Sequence, residues 1–395
     1  MRTRSLGTSL IAVLALVTSA CSTGASTSPS VPPSSAATSA AATTAAAATS
    51  PPASSALKVG VVTDVGTVDD KNFNQYSFEG AQKGAADIGA AAPKVVVPAD
   101  ASQYAPDINN FVSQGFNIIV TVGFNLTTDT IKAAKANPNV WFIGVDQAPL
   151  CITPTGDPDT AATPKCAGDA ATLLPKFIAI KYQEDQAGYV AGIVAAGITK
   201  TNKVGAIGGI NLVPAVVRYI QGYELGAKSV NPNIEVDTAY VTTSDFTKAF
   251  NDPATGKTYA TQFIAQKGVD VLFQVAGKTG NGILQAACAA KIAGIGVDVD
   301  QWISLNAASD PTYGCIVTSA EKHLSDSVET AIKGIADGSA KGGNVVYDAS
   351  KDGIGVAPYT SSLSVPQATQ DAVTAALAAM KAGTLTTCPS NCGQP

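Results

Sequence analysis

Histidine is almost missing from this chain, because His323 is the only one among 395 residues. A zinc site or a catalytic pair that needs histidine therefore has a single candidate. The chain also lacks three enzyme patterns: the G-x-S-x-G turn, the P-loop G-x-x-x-x-G-K-[ST] and the metalloprotease motif H-E-x-x-H. These absences exclude several common enzyme classes, and we expect no catalytic residue, no metal and no cofactor.

Charged residues are also scarce, at 14% of the chain. The sequence has 25 basic and 30 acidic residues and no basic run. Proteins that bind nucleic acid or anionic lipid through charge carry clustered Lys and Arg. The composition therefore argues against both kinds of partner for the folded part of the chain.

The N-terminus has the pattern of a secretory signal. Arg2 and Arg4 precede an apolar stretch over residues 10–17, which is too short to span a membrane. The run T-S-A-C that ends at Cys21 resembles the bacterial lipobox, which implies that residues 1–20 are removed and that Cys21 is lipidated. The alternative is an ordinary signal peptide with Cys21 as a disulfide partner.

Residues 22–56 consist almost wholly of Ser, Thr, Ala and Pro, with no charged residue. Such a segment cannot bury a core, so residues 21–56 are predicted to form a disordered tether behind the lipidated cysteine. We expect a protein that is held on the extracytoplasmic face of the cell membrane by a lipid anchor.

Six cysteines follow Cys21, an even number that favours disulfides in an oxidising compartment. Sequence alone allows 15 pairings of six cysteines. The pairing that is local in sequence joins Cys151 with Cys166, Cys288 with Cys315, and Cys388 with Cys392.

From Leu57 onward, short β-branched runs alternate with Ala-rich helical stretches. Runs such as K-V-G-V-V-T and N-I-I-V-T-V-G are continuously apolar, as is typical of strands buried on both faces. Repeated strand–helix order predicts an α/β protein with two parallel sheets. We expect a first lobe over residues 57–175 with a returning segment at about 308–345. A second lobe would cover 176–307 with a returning segment at about 346–360, before a C-terminal helix and tail over 361–395.

Several motifs along this body resemble those of one family. They are V-T-D-V-G-T-V-D-D-K-N-F-N-Q, Y-Q-E-D-Q-A-G-Y-V-A-G, K-V-G-A-I-G-G, V-D-V-L-F-Q-V-A-G-K-T-G-N-G, I-G-V-D-V-D-Q and T-S-A-E-K. In order and spacing they are similar to the basic membrane protein family of bacterial lipoproteins, purine-nucleoside receptors of ABC importers. The resemblance implies a type I periplasmic-binding fold, with two Rossmann-like lobes joined by a hinge of crossing strands.

The resemblance also implies ligand-binding roles for residues at strand ends and helix starts. Phe73 and Tyr219 would stack on the two faces of the base, although the family usually has phenylalanine where Tyr219 stands. The full predicted set is Asp64, Phe73, Asn74, Phe124, Asn125, Asp146, Tyr219, Gly277, Asp298 and Lys322. Each has a plainer alternative, such as a turn or helix cap, a core aromatic ring or a solvated lysine.

The predicted function is capture of a purine nucleoside of the guanosine, adenosine or inosine class by a monomer that delivers it to an ABC permease. A sugar-binding or sensory receptor of the same fold is one alternative. A calcium-dependent nucleoside hydrolase is another, because D-V-G-T-V-D-D is similar to the aspartate cluster of those enzymes. However, Val65 and Gly66 stand where the cluster needs a further aspartate.

Overall fold

A computed structural model describes residues 56–360 and 362–394. The predicted signal segment, Cys21 and nearly all of the predicted tether lie outside these residues. The strands of the described chain are β1 (Val59–Thr63), β2 (Lys94–Val96), β3 (Ile118–Val122), β4 (Trp141–Val145), β5 (Phe177–Tyr182), β6 (Lys203–Gly208), β7 (Glu235–Tyr240), β8 (Val271–Val275), β9 (Ala293–Asp298), β10 (Ile316–Lys322), β11 (Gly343–Tyr347) and β12 (Ile354–Val356).

Helices separate most of these strands. They are α1 (Phe73–Asp87), α2 (Tyr104–Ser113), α3 (Thr127–Ala136), α4 (Ala170–Leu173), α5 (Glu184–Ile198), α6 (Pro214–Val230), α7 (Phe246–Phe250), α8 (Pro253–Lys267), α9 (Gly277–Ala289), α10 (Gln301–Ser304), α11 (Leu324–Asp337) and α12 (Gln367–Lys381). Local sequence explains several of their ends. In α8, for example, the Asp252 side chain accepts from the backbone N–H of Thr255, and Gly268 ends the helix in the left-handed conformation.

The strands form two six-stranded sheets. The first has the order β11-β5-β4-β3-β1-β2, and the second has the order β12-β10-β9-β8-β6-β7. Every neighbouring pair is parallel except β10 and β12. The α/β prediction of two parallel sheets is therefore confirmed. We call the first sheet with its helices the first lobe, and the second sheet with its helices the second lobe.

The central strands are apolar because helices cover both faces of each sheet. Every residue of β1, β3 and β8 is buried. Continuous apolar runs of this kind are typical of parallel sheets with two covered faces. The strands that sequence reasoning recognised most readily are therefore those that form the middle of each sheet.

The chain crosses between the lobes three times, and two crossings lie away from the predicted boundaries. Strand β5 (Phe177–Tyr182) belongs to the first sheet, although residues from 176 onward were assigned to the second lobe. Strand β10 (Ile316–Lys322) belongs to the second sheet, although residues 308–345 were assigned to the first. An apolar run predicts a buried strand, but its pattern does not show which of two similar sheets it joins.

The three predicted disulfides are present, joining Cys151 to Cys166, Cys288 to Cys315, and Cys388 to Cys392. The last pair follows α12, which packs on α5 of the second lobe. Among the described residues, no helix is both long and apolar enough to cross a membrane.

Candidate functional site

A cleft with an empty volume of about 710 Å³, counting space open to solvent, lies between the two lobes. All ten residues predicted from the sequence line it: Asp64, Phe73, Asn74, Phe124, Asn125, Asp146, Tyr219, Gly277, Asp298 and Lys322. Lys278, which follows an apolar strand run in the sequence, also lines the cleft, whereas sequence reasoning missed Asp70 and Phe250.

The cleft forms where strands of both sheets end. Asp146 directly follows β4 in the first lobe, and Asp298 is the last residue of β9 in the second lobe. Both have a positive φ, 60° and 66°, a conformation that aspartate tolerates better than most residues. The same local turn therefore delivers one carboxylate from each lobe into the cleft, as expected for the carboxyl ends of parallel strands.

Lys322, at the end of β10, is the charged centre of the site. Its Nζ lies 2.7 Å from Oδ2 of Asp146, 3.5 Å from Oδ1 of Asp298 and 3.8 Å from Oε1 of Glu184. The lysine is 3% exposed. Burial alone lowers the pKa of an ammonium, but these three carboxylates outweigh it and raise the pKa of Lys322. Lys322 is therefore a fixed cation that ties the two strand-end aspartates together.

The two aspartates beside Lys322 keep acceptor capacity for a ligand. Burial raises the pKa of Asp146 to about 6, against the lowering effect of Lys322, and it also raises the pKa of Asp298. Oδ1 of Asp146 is buried without a hydrogen-bond partner in the described chain. A buried carboxylate oxygen without a partner is costly, so it favours a ligand that donates a hydrogen bond there.

The carboxylate of Asp64 accepts several hydrogen bonds from the protein. Its Oδ1 accepts from the Tyr104 hydroxyl at 2.5 Å, from Nδ2 of Asn125 at 3.2 Å and from the N–H of Val65 at 2.7 Å. Its Oδ2 accepts from the Asn125 N–H at 3.3 Å. Burial raises the pKa of this carboxyl group, and these hydrogen bonds act in the opposite direction. Asp64 therefore holds Asn125 at the cleft wall and leaves Oδ2 with a lone pair free for a ligand.

Phe73 and Tyr219 lie on different lobes. Phe73 opens α1 and is partly exposed, with the Lys322 Nζ 4.7 Å from its ring centroid. Tyr219 in α6 is only 1% exposed, packs edge-on against Phe273, and donates its hydroxyl to Oδ1 of Asp298 at 3.3 Å. The hydroxyl group that distinguishes Tyr219 from the family's usual phenylalanine is therefore hydrogen-bonded, and it fixes the Asp298 carboxylate.

The start of α1 is organised by Asp70, which the sequence interpretation did not single out. Oδ1 of Asp70 accepts from the N–H groups of Asn72 and Gln75, and Oδ2 accepts from the N–H of Asn74 at 2.9 Å. Side-chain capping of this kind satisfies the free donors of a first helical turn. These hydrogen bonds fix the backbone of the first turn of α1, which carries Phe73 and Asn74. The signal available in the sequence was an aspartate a few residues before a predicted helix.

Asn74 presents only an acceptor to the cleft. Its Nδ2 donates to the Val65 carbonyl at 3.1 Å, whereas its buried Oδ1 has no hydrogen-bond partner among the residues that the structure describes. The carbonyl partner fixes which way round the amide group lies. A ligand at this point is therefore expected to offer an N–H or O–H donor.

A chain of buried amides supports the second-lobe side of the cleft. Nε2 of Gln274 donates to Oε1 of Gln301 at 2.5 Å, and Nε2 of Gln301 donates to Oδ1 of Asn281 at 3.0 Å. Oε1 of Gln301 also accepts from the Val297 N–H at 3.1 Å, directly before Asp298. These side chains belong to the motifs quoted above, but their pattern gave no sign that they contact one another.

One group of side chains has the spacing of a metal site in the described part of the chain, namely Asp185 with Cys388 and Cys392. The two sulfur atoms are joined in a disulfide. They therefore offer no thiolate to a metal.

A polar and aromatic cleft at the strand ends of two parallel α/β lobes defines a solute-binding protein. A family model described as ABC transporter substrate-binding protein PnrA-like matches residues 57–380. The chain therefore belongs to this family, and the resemblance noted from its motifs is confirmed. The family description is that of a binding component, in keeping with the expectation of no enzymatic activity.

Curated relatives cover most of the chain. It is 31% identical over 310 residues to the ABC transporter nucleoside-binding protein BmpA of Lactococcus lactis subsp. cremoris, covering 75% of this chain and 80% of that protein. It is 30% identical over 328 residues to the CD4+ T-cell-stimulating antigen of Listeria monocytogenes, covering 79% of this chain and 83% of that protein.

Solved structures share the fold. A solute-binding protein of an ABC transporter system from Aeropyrum pernix K1 has a TM-score of 0.67 and 22% identity, covering 84% of this chain and 92% of that one. A solute-binding protein from Conexibacter woesei has a TM-score of 0.61 and 25% identity, covering 84% and 98%. The periplasmic-binding fold predicted from the motifs is therefore confirmed.

Proposed function

We propose that this protein is the receptor of an ABC importer and that it captures a purine nucleoside between its two lobes. The observation that carries the proposal is the grouping of Phe73, Lys322 and the aspartates Asp146 and Asp298 in one cleft. An aromatic face suits a base, and carboxylates beside an ammonium suit a sugar with adjacent hydroxyl groups. The name of the Lactococcus lactis relative supports a nucleoside as the ligand.

In this proposal the base stacks on Phe73, with Tyr219 and Phe250 on the opposite lobe. Oδ1 of Asn74 and Oδ2 of Asp64 accept hydrogen bonds from the base edge. A purine with an amino or ring N–H group meets this requirement. A base that offers only acceptors at these positions would leave both oxygens unpaired.

The ribose hydroxyls donate to Asp298 and to the free Oδ1 of Asp146, while Lys322 donates to a ribose oxygen. Gly277, at the start of α9 with φ of 51°, lets the backbone approach the ligand without a side chain. No bond of the nucleoside is broken. The ligand favours lobe closure because it contacts both lobes at once.

Delivery to a permease completes the proposal. Lipidation of Cys21 would keep the receptor at the extracytoplasmic face of the membrane, and residues 21–56 would give the lobes room to move. Replacement Cys21→Ala should move the protein from the membrane fraction to the soluble fraction while its ligand affinity stays the same. Membrane retention of the variant would contradict this anchor.

A thermal-shift screen with guanosine, adenosine, inosine, ribose and galactose tests the proposed ligand class. We expect at least one purine nucleoside to raise the melting temperature more than either sugar does. A shift with ribose or galactose and none with a nucleoside would favour the sugar-receptor alternative. Incubation with inosine and calcium tests the hydrolase alternative, since catalytic release of free base would overturn a purely receptor function.

A further inference from the structure

The C-terminal segment Thr387–Gln394 lies against the second lobe behind the ligand site. The Cys388–Cys392 disulfide closes its turn. Gln221 of α6 holds it at two points, because Oε1 accepts from the Gly393 N–H at 2.8 Å and Nε2 donates to the Gln394 carbonyl at 2.9 Å. At its other end, the Thr387 hydroxyl donates to Oδ2 of the buried Asp185.

This segment covers Arg218. Gly393 (φ 76°) packs so closely that a Cβ there would lie 3.1 Å from Nη1 of Arg218. Arg218 is 7% exposed, and its Nε lies 2.6 Å from Oε2 of Glu184, which is fully buried. The tail therefore excludes water from a buried ion pair, a setting in which charge interactions are much stronger than at the surface.

The ion pair reaches the ligand site through Glu184. Its second oxygen, Oε1, has no hydrogen-bond partner in the described chain and lies 3.8 Å from Nζ of Lys322. Lys322 is thus shared between Glu184 and the aspartates Asp146 and Asp298. As long as Arg218 neutralises Glu184, the stronger contact of Lys322 is with Asp146, at 2.7 Å.

We infer that the segment Thr387–Gln394 is a positioning element of the ligand site, which acts through Arg218 and Glu184 to hold Lys322 against Asp146 and Asp298. None of its residues lines the cleft. If the segment detaches, water reaches Arg218, its hold on Glu184 weakens, and Glu184 competes for Lys322. This inference rests on the proposed function for its ligand.

The first test loosens the segment in the full-length protein. Gln221→Ala removes both anchoring hydrogen bonds, and calorimetry should show nucleoside affinity reduced by about fivefold. Glu224→Ala is the matched control on the same helix, because Glu224 is partly exposed and its ion pair in the described chain is with Lys228. Affinity of Gln221→Ala within a factor of about 1.5 of the control would overturn the inference.

A second pair of variants compares two disulfides. Cys388→Ser with Cys392→Ser should also lower nucleoside affinity by several-fold. Cys288→Ser with Cys315→Ser should not, because Cys315 lies just before β10, at the opposite end of that strand from Lys322. Equal losses in the two double variants would point to a general loss of stability and count against positioning.

Charge substitutions separate positioning from packing. Arg218→Met keeps much of the side-chain volume but leaves Glu184 unpaired, whereas Arg218→Lys restores a cation. We expect the lysine variant to recover most of the affinity that the methionine variant loses. If Arg218→Met does not fold, Glu184→Gln with Arg218→Met removes the unpaired charge. Because glutamine does not compete with Asp146 for Lys322, this double variant should bind nearly as tightly as the unaltered protein, and an affinity loss as large as that of Gln221→Ala would overturn the inference.

Hydrogen exchange tests the positioning role of the segment Thr387–Gln394 without a ligand. Peptides covering β10 and residue 323 should exchange faster in Gln221→Ala than in Glu224→Ala, because Lys322 is held less firmly. If the unaltered protein binds no nucleoside, the proposed function fails, yet faster exchange at these residues still supports the positioning role. Unchanged exchange there, with or without a ligand, overturns it.

Discussion

Asn281 of the second lobe donates through Nδ2 to the backbone carbonyl of Asp70 in the first lobe, over 3.2 Å. The carboxylate of Asp70 accepts from N–H groups in the first turn of α1, including that of Asn74, and so holds the turn that carries Phe73 and Asn74. A side chain 211 positions away thus contacts the segment that presents Phe73, the ring that we propose stacks on the base. The hydroxyl of Ser304 makes a similar contact with the Lys71 carbonyl at 2.8 Å. The two lobes meet directly beside the cleft.

Asn281→Ala removes the hydrogen bond to the Asp70 carbonyl and also the acceptor of Gln301 Nε2, so it should weaken nucleoside binding by at least about threefold. The ligand itself touches none of the lost atoms, so we expect the change as faster dissociation in stopped-flow measurements. Asn233→Ala, an exposed asparagine in the loop before β7, is the control. Identical dissociation rates for the two variants would contradict a role for this contact in closure.

Phe73→Ala should reduce nucleoside affinity by about tenfold or more, because stacking of a base on an aromatic ring contributes about 1–3 kcal/mol. Phe73→Tyr keeps the ring and should retain most of the affinity. Circular dichroism and melting temperature would verify that both variants are folded. If alanine and tyrosine variants bind equally well by calorimetry, the base does not stack on this residue.

The sequence predicted the residues that line the cleft better than the buried side chains that hold those residues in place. Asp146 and Asp298 could be recognised because each stands at the end of an apolar run, and strand ends of parallel sheets are where ligands bind. Lys322 was assigned only through its resemblance to the family's motif. Gln274 and Asn281 gave no such signal, since their partners are set by packing between distant segments. The prediction that β10 belongs to the first lobe was wrong for the same reason, because pairing between similar strands is decided by three-dimensional contacts.

Acid should weaken binding through Asp146. Its pKa in the folded protein is about 6, against an ordinary value of 3.8, so the folded protein holds a proton that the unfolded chain releases between about pH 4 and 6. This group therefore makes the folded state less stable as the pH rises through that window. Ligand affinity has the opposite pH dependence, because only the ionised carboxylate of Asp146 offers both oxygens as acceptors. The affinity should therefore fall below about pH 6.

Asp146→Asn tests this assignment, since asparagine does not titrate. Calorimetry from pH 5 to 7.5 should show a weaker but flatter affinity profile for the variant than for the unaltered protein. A profile of unchanged steepness would assign the pH dependence to another buried carboxyl group, such as Asp298.

A phosphate on the nucleoside should prevent binding. Four carboxylates line the cleft, those of Asp64, Asp70, Asp146 and Asp298, against only two lysines, Lys278 and Lys322. Like charges brought together at a binding site cost several kcal/mol. A nucleoside 5′-monophosphate should therefore bind more than about a hundredfold more weakly than its nucleoside. The matching 5′-deoxynucleoside controls for loss of the 5′-hydroxyl group, and a monophosphate that binds within about threefold of the nucleoside would refute this charge argument.

Calorimetric titration of the unaltered full-length protein with guanosine, adenosine, inosine and ribose tests the central claim most directly. We expect saturable binding of at least one purine nucleoside at one site per chain, tighter than that of ribose, and at least about tenfold weaker in Asp298→Ala. Binding of ribose without binding of any nucleoside, or nucleoside binding that Asp298→Ala leaves unchanged, would contradict the account.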